Sequence, residues 1–130
     1  MTALRRIAFF IAVGCAAGAV HFATVVLLVE GLHATPLLAN VGGWLLAFAV
    51  SFTGQWRLTF RSHDTPWSVA LPRYFFLSLS GFALNEAGYA LLLHWTALPY
   101  DLALGLVLVG VAVMTYLLGS KWAFRRNPAP

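Results

Sequence analysis

Charged residues are scarce in this chain of 130 residues, at 9% of the sequence, and cysteine occurs once. A soluble domain carries about 25% charged residues, and four acids with eight bases cannot cover the surface of a water-soluble globule. A single cysteine allows no internal disulfide and no cysteine-based metal cluster. The chain is instead 61% apolar. These proportions exclude an ordinary soluble domain and indicate a chain that lies mostly in lipid.

Four stretches with few charged residues are each long enough to cross a membrane. A transmembrane helix needs about 17–25 residues to span about 30 Å of hydrocarbon. The apolar stretches predict helices at about 7–29, 37–57, 74–97 and 101–121. We therefore predict an all-α membrane protein with one integral membrane domain over residues 1–130. The first helix is expected to be retained, because its apolar run exceeds the core of a cleaved signal peptide.

All eight bases fall on one side of this four-helix arrangement. They lie before the first helix, between the second and third, and after the fourth, whereas the opposite connections carry only Glu30, His33 and Asp101. By the positive-inside rule, both termini and the central connection are expected in the cytoplasm. The formal charge of +4 then reflects basic residues that gather on the cytoplasmic side of the membrane. No nucleic-acid motif is present, and no nucleic-acid partner is expected.

The two halves of the sequence resemble each other. Residues 6–14 align with 73–81 at a constant offset of 67, and residues 57–61 align with 121–125 at an offset of 64. This spacing predicts a duplicated helical hairpin, with units 1–65 and 68–130. Because each unit has two spans, both would insert with the same orientation.

Two segments carry a family resemblance. Phe52-Thr-Gly-Gln-Trp-Arg-Leu-Thr-Phe60 closes the second predicted helix, and Tyr116-Leu-Leu-Gly-Ser-Lys-Trp-Ala-Phe124 closes the fourth. With the Arg6 to Gly14 segment, they resemble the GtrA-like family of four-span proteins. The chain departs from the family pattern at Gln55, where asparagine is usual, and at His21, where an acid is frequent.

The resemblance implies a role in moving lipid-linked sugars. It implies a multi-pass protein of the bacterial inner membrane that translocates a polyprenyl-phosphate-linked monosaccharide for modification of cell-surface polysaccharides. It also implies a partner, the polyprenyl-phosphate glycosyltransferase that makes the lipid-linked donor. No cofactor is implied, and membrane lipids are the remaining expected contacts.

A lipid-linked sugar has an anionic phosphate, and four bases are candidates to bind it. Guanidinium groups pair with phosphate oxygens in a bidentate manner. The repeat places two basic pairs at matching depth, and these are Arg57, Arg61, Lys121 and Arg125. The alternative is that these bases only set the topology and contact ordinary anionic lipids.

Glu86 marks a second candidate site. It lies about twelve residues into the third predicted helix, roughly 18 Å from its end, where an acid is costly and usually functional. Four further polar residues fall at a similar depth or within one turn of it, namely Asn85, His21, Asn40 and Tyr89. They predict a polar patch inside the bilayer, which could act as a proton-linked gate or bind sugar hydroxyls. The alternative is that they hydrogen-bond the helices together without a further role.

Two other functions remain open from the sequence. A small multidrug-type proton-coupled exporter also has four spans, although its key acid lies in the first helix, where this chain has His21. A non-transporting subunit that anchors a glycosyltransferase would need no polar site at all. An enzyme is not expected, because no catalytic constellation and no metal-ligand spacing occur. Four spans alone are few to surround a path wide enough for a sugar. Gly14 and Gly18 also permit close helix packing, so a homo-oligomer is expected.

Overall fold

Four long α-helices make up the chain. The computed structural model describes the backbone of residues 2–59 and 66–123 and the side chains of residues 2–58 and 66–114. The helices are α1 (Ala3–Leu32), α2 (Pro36–Gly54), α3 (Trp67–Trp95) and α4 (Tyr100–Ala123), and a π-helical turn, Gln55–Thr59, continues α2. No strand occurs in these ranges. The predicted all-α fold is confirmed.

The helices have the length and hydropathy of membrane spans. Ala3–Leu32, Pro36–Leu58 and Trp67–Trp95 are each long and apolar enough to cross a bilayer, with mean hydropathies of 2.1, 1.5 and 1.3. The part of α4 with described side chains, Tyr100–Met114, is a shorter apolar helix, and the α4 backbone continues to Ala123. The chain is therefore a four-helix membrane protein.

Thr2 caps the start of α1 by accepting a hydrogen bond from the Arg5 backbone N–H at 3.3 Å.

At the other end of α1, a tight connection makes α1 and α2 antiparallel neighbours. His33 ends α1 in a left-handed conformation with φ of 55°, and its N–H donates to the Leu28 carbonyl. Pro36 then occupies the first turn of α2, where its missing N–H costs nothing.

The third helix begins earlier than the sequence predicted. We expected it to start near residue 74, with Pro66 and Pro72 in the preceding connection, but α3 begins at Trp67 and contains Pro72. Its first turn forms because the Val69 and Ala70 N–H groups both donate to the Pro66 carbonyl. Pro72 is the sixth residue of the helix, where it removes the hydrogen bond that its N–H would have donated to the carbonyl of residue 68 and its ring crowds that carbonyl.

All four helices contribute to an apolar cluster at the end of the bundle that holds connections 33–35 and 96–99. Its fully or largely buried members are Val25, Ala39, Tyr89, Ala103, Leu104 and Val107. Elsewhere, large apolar side chains such as Leu77 and Phe76 are exposed on the helix surfaces. Outward apolar side chains are what a lipid solvent requires.

Small residues allow α1 and α2 to approach closely. Ala39, Gly43 and Ala47 are buried on α2 at a four-residue spacing, which is the small-residue pattern of packed membrane helices. A Cβ added at Gly43 would lie 2.6 Å from Cδ2 of His21 and 2.8 Å from its carbonyl oxygen. The backbone of α2 thus lies directly against the His21 turn of α1.

The glycines of α1 do not share this role. A Cβ added at Gly14 or Gly18 would meet no atom within 4 Å. Within the described part of the chain, these two residues therefore do not bring helices together.

Candidate functional site

Four polar side chains from three helices form one hydrogen-bonded network. Asn40 of α2 lies at its centre. Its Oδ1 atom is 2.6 Å from Nε2 of His21 on α1. Its Nδ2 atom donates to Oδ1 of Asn85 at 2.8 Å and to Oε2 of Glu86 at 2.7 Å, both on α3. We call these four residues the Asn40 network.

The Asn40 network lies deep between the helices. Asn40 is completely buried, His21 and Asn85 are buried, and Glu86 is half-buried. His21 belongs to the buried stripe of α1 that repeats every fourth residue, and Asn40 belongs to the face of α2 that packs on it. Their positions follow from the same helical register that packs α1 on α2.

The hydrogen bonds of Asn40 fix the roles of its partners. Both hydrogens of its amide point to acceptors, the Asn85 carbonyl and the Glu86 carboxylate. The amide oxygen can only accept, so Nε2 of His21 must carry a hydrogen. Among the described residues, no buried side-chain nitrogen or oxygen lacks a partner. An acidic side chain and a histidine are thereby linked through one amide inside an apolar bundle.

Tyr89 was predicted beside Glu86, but the structure places its hydroxyl in another contact. The Tyr89 hydroxyl donates to the Tyr100 backbone carbonyl at 3.0 Å, and the Tyr100 hydroxyl donates to Oε1 of Glu30 at 2.8 Å. These two bonds connect α3, α4 and α1 near the 96–99 connection. Tyr89 therefore stabilises one end of the bundle and is not a member of the Asn40 network.

Of the four predicted phosphate ligands, Arg57 has a described side chain. Arg57 is exposed within the π-helical turn. Lys121 lies on α4, but its side chain is outside the described set, and Arg61 and Arg125 lie outside the described residues altogether. Beside Arg57, the buried Gln55 donates to the Phe10 carbonyl of α1 at 3.4 Å. That contact holds the π-helical turn against α1.

Sequence reasoning missed a second set of polar contacts between α2 and α3. Nε1 of Trp44 donates to Oγ of Ser78 at 2.8 Å, and Oγ of Ser51 lies 2.6 Å from the Tyr74 hydroxyl. Trp44 could have been noticed, because it is the ninth residue of α2 whereas tryptophans usually anchor at helix ends.

Aromatic rings surround Trp44 on the same interface. Its ring stacks on Phe82 with centroids 4.6 Å apart and lies 5.5 Å from the Phe75 ring. Phe48 makes an edge-to-face contact with Phe75 at 5.4 Å. Such pairs add about 0.5–1.5 kcal/mol each beyond the area that they bury. They fix the orientation of the Trp44 indole.

The described residues offer no metal site. No group of three or more histidine, cysteine, aspartate or glutamate side chains converges within them.

Fold and site together define a small four-helix membrane protein whose spans are bridged by buried polar side chains. The profile of one family, "GtrA/DPMS, transmembrane domain", matches residues 9–124. The chain belongs to this family, which confirms the resemblance found in the sequence. The family is tied to lipid-linked sugars. No curated protein and no solved structure shows significant similarity to the chain.

Proposed function

We propose that this protein translocates a polyprenyl-phosphate-linked monosaccharide across the bacterial inner membrane, for the modification of cell-surface polysaccharide. Family membership supports a role with lipid-linked sugars. The observation that carries the proposal is the Asn40 network, which joins three helices inside predominantly apolar spans. Ionisable groups in such positions commonly mark a transport pathway.

The network has the chemistry that a sugar headgroup needs on its way across a bilayer. Sugar hydroxyls lose hydrogen bonds to water when they enter hydrocarbon, at a cost of about 2–7 kcal/mol for each unpaired group. Amide, imidazole and carboxylate groups can replace those bonds. The polyprenyl chain needs no such help, because it stays in lipid throughout.

The direct test is a flipping assay with the purified full-length protein in liposomes. A polyprenyl-phosphate monosaccharide is added, and a membrane-impermeant reagent measures how fast the sugar reaches the opposite leaflet. We expect the protein to accelerate this movement at least tenfold over protein-free liposomes, with no acceleration of a labelled phosphatidylcholine. Equal rates with and without protein would contradict the proposal and favour the non-transporting anchor subunit.

The basic residues would capture the phosphate at the cytoplasmic surface. Replacing either pair by glutamine, Arg57 with Arg61 or Lys121 with Arg125, should weaken binding of the lipid-linked sugar several-fold without affecting membrane insertion. Glutamine at both Arg5 and Arg6 is the matched control, since these bases lie in the first turn of α1 and belong to neither pair. If neither pair changes binding, the bases only set topology.

The proposed direction of capture requires both termini in the cytoplasm. Reporter fusions at Asp64 and at the C-terminus should then report cytoplasm, and a fusion at His33 should report periplasm. A periplasmic C-terminus would contradict this orientation.

A further inference from the structure

A cavity of about 220 Å³ adjoins the Asn40 network on the side that leads toward Arg57. It is an open groove lined by three helices, and we call it the Trp44 groove. Its lining includes Gly18 and His21 of α1, Trp44, Phe48 and Ser51 of α2, and Ser78 of α3.

The groove shares one residue with the network. His21 bonds to Asn40 through Nε2 and also lines the groove. Trp44 lies one helical turn from Asn40, about 6 Å along α2, and Ser51 lies about 10 Å further toward the π-helical turn. The groove therefore occupies the depth between the Asn40 network and the basic end of α2.

Its lining combines a fixed aromatic ring with hydroxyl groups. The Trp44 indole is held by its hydrogen bond to Ser78 and by stacking on Phe82. Ser51 and Ser78 supply hydroxyls on opposite helices. In the described part of the chain, the His21 ring forms its hydrogen bond through Nε2 alone, which leaves Nδ1 as a further polar atom of this ring.

We propose that the Trp44 groove binds the sugar ring of the lipid-linked substrate, an inference that rests on the translocation function proposed above. A pyranose has an apolar face of C–H groups and a rim of hydroxyls. An aromatic ring beside hydroxyl and imidazole groups matches both parts.

The size and polarity of the groove select a single sugar ring. Sites for drug-sized ligands measure about 300–1,000 Å³, so a groove of about 220 Å³ suits a smaller group. An acyl chain would gain nothing from the serine hydroxyls. The groove is open on one side, so the sugar can enter while its polyprenyl tail remains in the surrounding lipid.

Gly18 provides a clean test, because a side chain added there points into open space. A Cβ at Gly18 meets no atom within 4 Å, so Gly18→Leu should fill the groove without disturbing helix packing. Gly14→Leu is the matched control. Gly14 lies one turn away on α1, its added Cβ also meets nothing within 4 Å, and it is not among the groove residues.

The measurement is binding of two kinds of probe to the full chain in nanodiscs. One kind is undecaprenyl phosphate carrying glucose, galactose, mannose or N-acetylglucosamine, and the other is undecaprenyl phosphate without a sugar. We expect the wild-type protein to bind at least one sugar probe at least tenfold more tightly than the bare lipid. Gly18→Leu should abolish this preference while leaving affinity for the bare lipid unchanged, and Gly14→Leu should keep it.

The outcomes separate the groove from the function. If the wild-type preference exists and Gly18→Leu retains it within twofold, the groove assignment is wrong but the translocation proposal stands. If the wild-type protein shows no preference for any sugar probe, the groove assignment is overturned, and the flipping assay decides the translocation proposal separately. If Gly18→Leu also weakens binding of the bare lipid, a second variant, Trp44→Phe, provides the decisive measurement, because it keeps an aromatic ring in place. It should reduce the preference at least threefold, and an unchanged preference would overturn the groove assignment.

Discussion

The two helical hairpins differ in how closely their glycines approach the facing helix. In the α1–α2 hairpin, an added Cβ would lie within 3 Å of a facing side chain at three positions spread along α2, which are Gly42, Gly43 and Gly54. In the α3–α4 hairpin, the only glycine with a neighbour within 4 Å among the described side chains is Gly88, 3.8 Å from Val107. In the first hairpin the α2 backbone thus lies directly against α1 residues at these positions, whereas the second hairpin keeps an ordinary contact distance at Gly88. The site is built on the tighter hairpin.

The predicted sequence repeat relates the positions of these contacts in the two hairpins. The offsets of 67 and 64 relate the His21–Gly43 contact to the Gly88–Val107 contact, and they relate Asn40 to Leu104. Asn40 and Leu104 are both completely buried. This correspondence supports the proposed duplication. It also shows that one buried position holds a polar centre in the first hairpin and an apolar residue in the second.

Replacing Asn40 with leucine would make the first hairpin resemble the second, and we expect the largest effect here. Three membrane hydrogen bonds of about 0.6–1.7 kcal/mol each would be lost, and Glu86 would lose its donor, so the free energy of unfolding should fall by about 2–4 kcal/mol. The free energy of unfolding is measured on the purified protein in increasing concentrations of a denaturing detergent.

Thr24→Val is the control for the loss of a polar group. The Thr24 hydroxyl bonds only to the Val20 carbonyl of its own helix, so its loss should change stability by less than about 0.5 kcal/mol. Equal effects of the two substitutions would show that the Asn40 network does not hold the helices together.

A methyl group added at one glycine of each hairpin separates the two hairpins next. Gly43→Ala should destabilise the protein by about 1–3 kcal/mol, because the new Cβ meets the His21 backbone, which cannot move alone. Gly88→Ala meets Val107 at ordinary contact distance and should be neutral or slightly stabilising. The same unfolding assay compares them. Similar losses at both positions would contradict the difference in packing.

Glu86→Gln should have the smallest effect on stability and a specific effect on function. The glutamine oxygen can still accept from Nδ2 of Asn40, so we expect a change below about 1 kcal/mol. If Glu86 takes up a proton during transport, the variant should lose the pH dependence of flipping between about pH 6 and 8. Flipping rates across pH, with membrane levels checked in parallel, measure this. Wild-type pH dependence in the variant would leave Glu86 with a structural role only.

Depth along a helix was enough to predict most of the candidate site. His21, Asn40, Asn85 and Glu86 were grouped because the helical rise puts them at one level, and the structure joins them. Tyr89 was grouped by its three-residue spacing from Glu86. The long tyrosine side chain instead reaches the Tyr100 carbonyl, which sequence spacing on one helix could not reveal.

Other features depend on which faces meet. The Gly14 and Gly18 pair has the spacing of a packing motif, yet the structure uses the glycines of α2 for close approach. Apolar residues occur on every face of a membrane helix, so the sequence alone did not show which face of each helix contacts its neighbours. The early start of α3 was missed because prolines usually indicate connections, whereas α3 contains Pro72 close to its start.

The Asn40 amide has a consequence for where protons can reside. Rotating an amide by half a turn exchanges its oxygen and nitrogen. With the Asn85 amide rotated as well, the Asn40 oxygen would accept from a protonated Glu86, and its nitrogen would donate to an unprotonated Nε2 of His21. All three contacts of Asn40 keep one donor and one acceptor in both arrangements, although the rotated amide directs only one of its two hydrogens to an acceptor, and the neutral histidine then carries its hydrogen on Nδ1. Rotation of the Asn40 and Asn85 amides, with a change of tautomer at His21, would thus report the protonation of Glu86 to the α1 wall of the groove, with no helix displaced.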